Sequence, residues 1–306
     1  MDQYRVYQFR RSTVSSYWLI GQTILNGLTM GGIYALISVG LTMIFGVMKV
    51  INFAQGEFLM VGMFMTLLLH RITGLGPYYL VIPVAIIMFI IGMCIYRILI
   101  KPIIGRDGTS FIIITMGLSY VLITVIQLIF SATSQSVVTE VSRISVKLGS
   151  FNIALSRVVA CGVMLVFVTI VYFFLKMTDV GRAMRATSEN REVSQMLGIK
   201  TNSIYRFAFS IGITLAGITG VLLTPIYYVY PTVGAPFKTI AMACVVLGGL
   251  GNIWGAVIGG LLAGLFEAFI GSYISFDLAP GGAYLILILV LAFKPNGLLG
   301  KGARKA

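Results

Sequence analysis

Few residues in this 306-residue chain could do polar chemistry in an apolar setting. In the stretch from Lys49 to Gly62, KVINFAQGEFLMVG, a cation, two amides (Asn52 and Gln55) and a carboxylate (Glu57) stand between long apolar runs. The other carboxylate within or at the edge of an apolar run is Glu267. An ionised carboxylate well inside a bilayer costs about 2.5 kcal/mol or more unless it faces protein or water, so neither is expected to face lipid. Each follows a glycine-marked interruption, and Gly249, Gly251 and Gly255 mark the one ahead of Glu267. Paired interruptions of this kind occur in transporters, where broken helix ends and exposed backbone surround a translocation site. Glu57 also has a plainer role available: in the first turn of a helix starting near Ala54 it would favour the positive helix end. For both glutamates a lining role and a structural role stay open.

The elements that position these residues must be membrane helices. The chain is 58% hydrophobic and 10% charged, with mean hydropathy +0.99, a balance that no water-soluble core of this length could hide. A membrane β-barrel would alternate polarity within segments of about ten residues. Here apolar runs are continuous at 18–47, 54–70, 77–100, 110–131, 155–176, 206–230, 237–250, 253–271 and 281–294. The expected fold is an all-α polytopic bundle of about 8–10 transmembrane helices, some short or broken, because several runs fall below the roughly 20 residues of a full span. The first run is long enough for two helices, with Gly27 and Gly31-Gly32 as the break. Residues 1–17 form a polar N-terminal segment, 18–294 a single transmembrane domain and 295–306 a basic tail. The run that follows the polar start is too long for a signal-peptide core, so the first helix is expected to act as its own insertion signal.

The formal charge of +13 sits mainly in connecting segments rather than on one amphipathic face, which argues for topogenic charge and against nucleic acid as a partner. Excess Lys and Arg mark cytoplasmic loops. The segments Arg97–Arg106 and Lys176–Arg206 and the C-terminal tail are therefore expected on the cytoplasmic side, and Lys49 with them. Arg5, Arg10 and Arg11 argue for an inside N-terminus, which requires the extra first helix; a single first span would put it outside.

Several chemistries are absent from the sequence. A phosphate-binding loop of the form GxxxxGK[ST] does not occur, and GGLGNIWG lacks both the spacing and the preceding strand of a dinucleotide site. Cys94, Cys161 and Cys244 are isolated in apolar runs and His70 is the sole histidine, so metal and disulfide chemistry are not expected. His70, Tyr78-Tyr79 and Tyr227-Tyr228-Tyr230 lie near helix ends and read as interfacial anchors. No acid, base or metal-ligand cluster suits an intramembrane hydrolase, and no catalytic residue is assigned. Gly255-x3-Gly259 and Gly260-x3-Gly264 place small residues along helix faces for close packing.

The one sizeable polar stretch on the cytoplasmic side spans 177–205 and contains TDVGRAMRATSENREVSQMLGIK. Within it Glu192 to Gly198, flanked by Val193, Met196, Leu197 and Ile199, predicts a short helix with an apolar stripe that stops at the glycine. Such a helix suits either docking to a partner or resting on the membrane interface.

Four stretches resemble the H-type permease subunit of branched-chain amino-acid ABC importers: GLTMGGIYALISVGLTMIFGVMKVINFAQGEFLMVG, GRAMRATSENREVSQMLGI, VVLGGLGNIWGAVIGGLLAGLFEAF and KPNGLLG. They occur in order from about residue 20 to 300. The resemblance implies a permease in a bacterial inner membrane, with a cytoplasmic C-terminus, importing branched-chain or other apolar amino acids. It also implies partners: a second, related permease, two ATPase subunits that use ATP and Mg, and a periplasmic binding protein, with no cofactor on this chain itself. The ATPase-coupling segment then falls on Arg182, Arg185, Glu189, Glu192, Met196, Leu197 and Gly198, and the pathway or helix-break residues are expected to be Asn52, Gln55, Glu57, Gly249, Gly251 and Glu267. The sequence departs from the family in two places. Glu192-Val193-Ser194 replaces the common Glu-Ala-Ala, and Gln55 stands where histidine is common. An ABC permease for urea, short amides or another small solute is the nearest rival, and a stand-alone carrier or channel is the rival from another class.

Overall fold

The computed structural model describes residues 2–106, 108–137, 141, 144–148 and 151–300, with side chains from Trp18 onward except at 146–148 and 151–153. The basic residues Lys301, Arg304 and Lys305 of the tail lie outside the described residues. The long helices are α1 (Asp2–Met48), α2 (Gln55–Thr73), α3 (Val81–Ile95), α4 (Gly108–Phe130) and α5 (Leu155–Met177). Two short amphipathic helices follow, α6 (Asp179–Glu189) and α7 (Arg191–Met196). The chain then forms α8 (Thr201–Leu223), α9 (Gly234–Gly248), α10 (Ile253–Tyr273) and α11 (Gly281–Phe293). Among the described residues seven segments are long and apolar enough to cross a membrane, and α9 and α11 are shorter apolar helices. Among the described residues the bundle is helical apart from one antiparallel hairpin, Ser145–Leu148 with Phe151–Ala154, between α4 and α5.

One alternative is decided and one expectation is corrected. Of the two readings of the first apolar run, one span or two, the chain forms a single unbroken helix. Gly27 and Gly31 serve close packing there: a Cβ on either would lie 2.8 Å from the backbone of Leu265 or Leu261 on α10. The run 206–230 is also shifted, because α8 begins at Thr201 and ends at Leu223, and the residues after it form turns.

Helices α1 and α8 form the centre of the bundle: 89% and 78% of their most apolar windows are buried, against 22% for α4 and for α5. In lipid, apolar side chains gain little by leaving the solvent, so helices associate where small residues allow close approach. Helix α10 shows this on two faces. Gly255 and Gly259 meet Gly248 and Cys244 of α9, whereas Gly260 and Gly264 meet Ala35 and Gly31 of α1.

These contacts fix which helix ends lie together. Gly46 of α1 meets Gly251, Tyr96 beyond α3 bonds Asn202 of α8, and Leu298 and Leu299 bond the carbonyls of Leu247 and Gly248. One end of the bundle therefore gathers Lys49, the Arg97–Arg106 connection, α6, α7 and Lys294, and is the cationic end. The opposite end carries Trp18, the Thr73–Gly76 turn, the bridge between Gln135 and Val229, and Tyr273.

Candidate functional site

Two helices begin inside the bundle rather than at its ends. Helix α1 stops at Met48, Lys49 takes a positive φ of 58°, and the chain climbs back through buried Asn52 before α2 starts at Gln55. Gln55 lies level with Gly212, midway along α8, and its Nε2 donates to the Gly212 carbonyl at 3.1 Å. Asn52 Oδ1 accepts from the Ala54 amide at 3.1 Å, and Asn52 Nδ2 donates to Gln55 Oε1 at 3.3 Å. The two amides thus satisfy backbone and side-chain groups that a break in the helix would leave bare inside an apolar bundle.

The second internal start is α9. A Cβ on Gly56 or Gly234 would collide with the other's carbonyl, so the first turns of α2 and α9 touch backbone to backbone. At that junction Lys238 Nζ donates to Glu57 Oε1 at 2.9 Å. The Glu57 side chain is 2% exposed and that of Lys238 23%, so the pair is largely enclosed but its cationic partner still reaches open space. Two positive helix ends converge here and favour the carboxylate, so the Glu57 structural role is present together with an ion pair. The second oxygen of Glu57 is buried without a partner among the described residues.

Glu267, on α10, borders the same region from the other side. It lies within electrostatic range of Tyr34 on α1, Tyr227 after α8, and Cys244 on α9. The Phe237 ring sits between Tyr34 and Tyr227, with centroids 6.1 and 5.5 Å away. Glu267 Oε2 is also buried without a partner among the described residues. Glu57 and Glu267 therefore flank the first turns of α9 together with an aromatic group. Gly249 and Gly251 do not join them. They lie at the other end of α9, about 20 Å away at 1.5 Å per residue, with φ of 102° and 84°. There they form the tight turn into α10 against which Leu299 and Gly300 pack.

The cationic end carries a second surface. Thr178 caps α6 by accepting from the Gly181 amide at 3.0 Å, and Asn190 caps α7 by accepting from the Val193 amide at 3.1 Å. Gly198 stops α7 with φ +81°, where the Gly198 amide bonds Gln195 O and the Ile199 amide bonds Ser194 O. The buried side of this unit is Met184, Thr187 and Ser194. Val193, Met196 and Leu197 point outward, the last two 84% and 75% exposed. Arg185, Glu189 and Glu192 form no ion pair among the described residues, while Arg182 pairs with Asp179. The helix is an amphipathic one with its apolar side uncovered.

A family profile described as "Branched-chain amino acid transport system / permease component" matches residues 23–293. The chain belongs to this family. The permease is 33% identical over 299 residues to the high-affinity branched-chain amino acid transport system permease protein BraD of Pseudomonas aeruginosa, covering 92% of this chain and 95% of that one. It is 32% identical, with the same coverage, to LivH of Escherichia coli. It is 30% identical to a probable branched-chain amino acid transport permease protein LivH of Methanocaldococcus jannaschii, with coverage of 92% and 93%. Among solved structures its fold is similar to that of "PsaBC from Streptococcus pneumoniae in complex with Fab", at TM-score 0.50 and 15% identity over 92% of this chain and 93% of the other. The permease is thus a transport component rather than an enzyme.

Sequence reasoning missed Lys238, Tyr34 and Phe237. A signal was available for Lys238, a lone cation inside the apolar run 237–250. Its partner lies 181 positions away, so spacing alone could not supply it.

Proposed function

We propose that this permease is the membrane subunit of an ATP-driven importer of branched-chain or other apolar amino acids. The family membership over residues 23–293 carries this reading. In it the cationic end faces the cytoplasm, two ATPase subunits dock on α6 and α7, and ATP with Mg is consumed there. A second, related permease completes the pathway, and a periplasmic binding protein delivers substrate to the opposite end. The exposed Val193, Met196 and Leu197 beside uncommitted Arg185, Glu189 and Glu192 support the docking assignment: an uncovered apolar stripe rimmed by charge suits a protein partner. The internal starts of α2 and α9 support a translocation role for the Glu57 region, since broken helices confine exposed backbone to the place where solute passes. ATP-driven closure of the ATPases would move α6 and α7, and through α8 the Gln55–Gly212 contact, so that the path opens alternately to each side.

The test is to copurify the chain with its genomic neighbours, reconstitute the assembly in vesicles and measure ATP-dependent uptake of leucine, isoleucine and valine. Uptake that requires both the ATPase and the binding protein is the expected result. Uptake by this chain alone, driven by an ion gradient, would replace the proposal with a stand-alone carrier.

A further inference from the structure

At the cationic end, close to α7, whose Arg191 lies within electrostatic range of Tyr96, a cavity of about 310 Å³ lies between the end of α3 and the start of α8, lined by Tyr96, Arg97, Lys101, Asn202, Ser203 and Arg206. Three of these six are cations and none is a carboxylate. The chain between α3 and Lys101 is a five-residue π turn, Tyr96–Ile100, whose wider winding places Arg97 and Lys101 on one side; such turns often mark functional sites. Tyr96 Oη donates to Asn202 Oδ1 at 2.5 Å and joins the two walls. Asn202 and Ser203 belong to the first turn of the 23-residue α8, whose positive end favours an anion. Arg206 Nε is buried and has no hydrogen-bond partner among the described residues, a donor left for something outside the chain. Exposed apolar side chains on the same chain segment suit lipid: Ile90 on α3 and Ile98 in the π turn, next to Arg97, are 50% and 69% exposed.

We propose that this cavity binds the phosphate headgroup of an anionic phospholipid, with Arg97, Lys101 and Arg206 holding the phosphate and the acyl chains lying along α3. A cationic pocket between helices at one membrane surface suits such a headgroup. The size and the apolar margin favour a lipid over free phosphate, which would need no greasy flank.

The full-length chain, purified in mild detergent, is examined by native mass spectrometry for retained phospholipid and by thermal unfolding with added phosphatidylglycerol, phosphatidylcholine or inorganic phosphate. Wild type should retain phosphatidylglycerol and be stabilised by it but not by phosphatidylcholine. The double variant Arg97→Gln/Lys101→Gln alters exposed residues, leaves folding intact, and should weaken phosphatidylglycerol about 25-fold, about fivefold for each charge. Lys49→Gln, an exposed cation at the same end, should not. Equal retention by the double variant and wild type would overturn the site, and equal protection by inorganic phosphate would overturn the lipid as its source. Unchanged lipid binding with loss of ATPase copurification would reassign the cluster to a protein partner.

Discussion

Lys238 and Glu57, 181 positions apart, are joined at 2.9 Å where two helices begin inside the bundle. The two partners differ in exposure, which predicts an asymmetry. Lys238→Met strands a carboxylate that is 2% exposed and should cost about 3–5 kcal/mol, the usual loss on breaking a buried pair. Glu57→Gln leaves an ammonium that still reaches open space and should cost less. The double variant Glu57→Gln/Lys238→Met should recover most of the Lys238→Met loss. Thermal unfolding of the four proteins in one detergent measures this, and a Lys238→Met protein as stable as wild type would remove the pair from the account of the fold.

The same junction limits what can replace Gly234. A Cβ there meets the Gly56 carbonyl, which is backbone and cannot rotate away. Gly234→Ala should therefore destabilise by about 1–3 kcal/mol through overpacking, although alanine is the better helix former. Gly281→Ala at the start of α11, where an added Cβ meets nothing within 4 Å, should be neutral or stabilising. The comparison by thermal unfolding separates overpacking from helix propensity.

Local chemistry was legible in the sequence where it acts within a few residues. The stop of α7 at Gly198 and the tight turn at Gly249 and Gly251 follow from glycine at positive φ, and the apolar stripe of α7 follows from its periodicity. Glycine within an apolar run was not legible in the same way, because a break and a close helix crossing use the same residue. Gly27 and Gly31 fit either a break or a crossing by sequence; α10 packs against them and α1 continues. The Glu57 site was half legible: Asn52, Gln55 and Glu57 stand together in sequence, whereas Lys238, Tyr34 and Phe237 reach it only through tertiary packing.

A single first span carries a topological consequence. Trp18 lies at the end of the bundle opposite Met48, α6 and α7, despite Arg5, Arg10 and Arg11 nearby in sequence. A cysteine introduced at Gln3 should therefore react with a membrane-impermeant thiol reagent from the side opposite a cysteine at Ser188. Labelling of both from one side of intact cells would contradict a single span over Trp18–Met48.

The α7 surface separates fold from coupling. Met196 and Leu197 are among the most exposed apolar residues, so Met196→Ser/Leu197→Ser removes no packing within the chain and should leave its unfolding temperature unchanged. If α7 docks an ATPase, the same variant should lose copurification and transport by tenfold or more, as expected for central apolar anchors of an interface. Gly198→Ile differs in kind. Nothing lies within 4 Å of an added Cβ, so its cost is backbone strain at φ +81°, about 1–2 kcal/mol, confined to a surface turn. It should insert in the membrane normally yet misplace α7 and uncouple transport. Normal uptake by Gly198→Ile would withdraw the docking role from this turn, whereas uptake lost together with insertion would mark a folding defect instead.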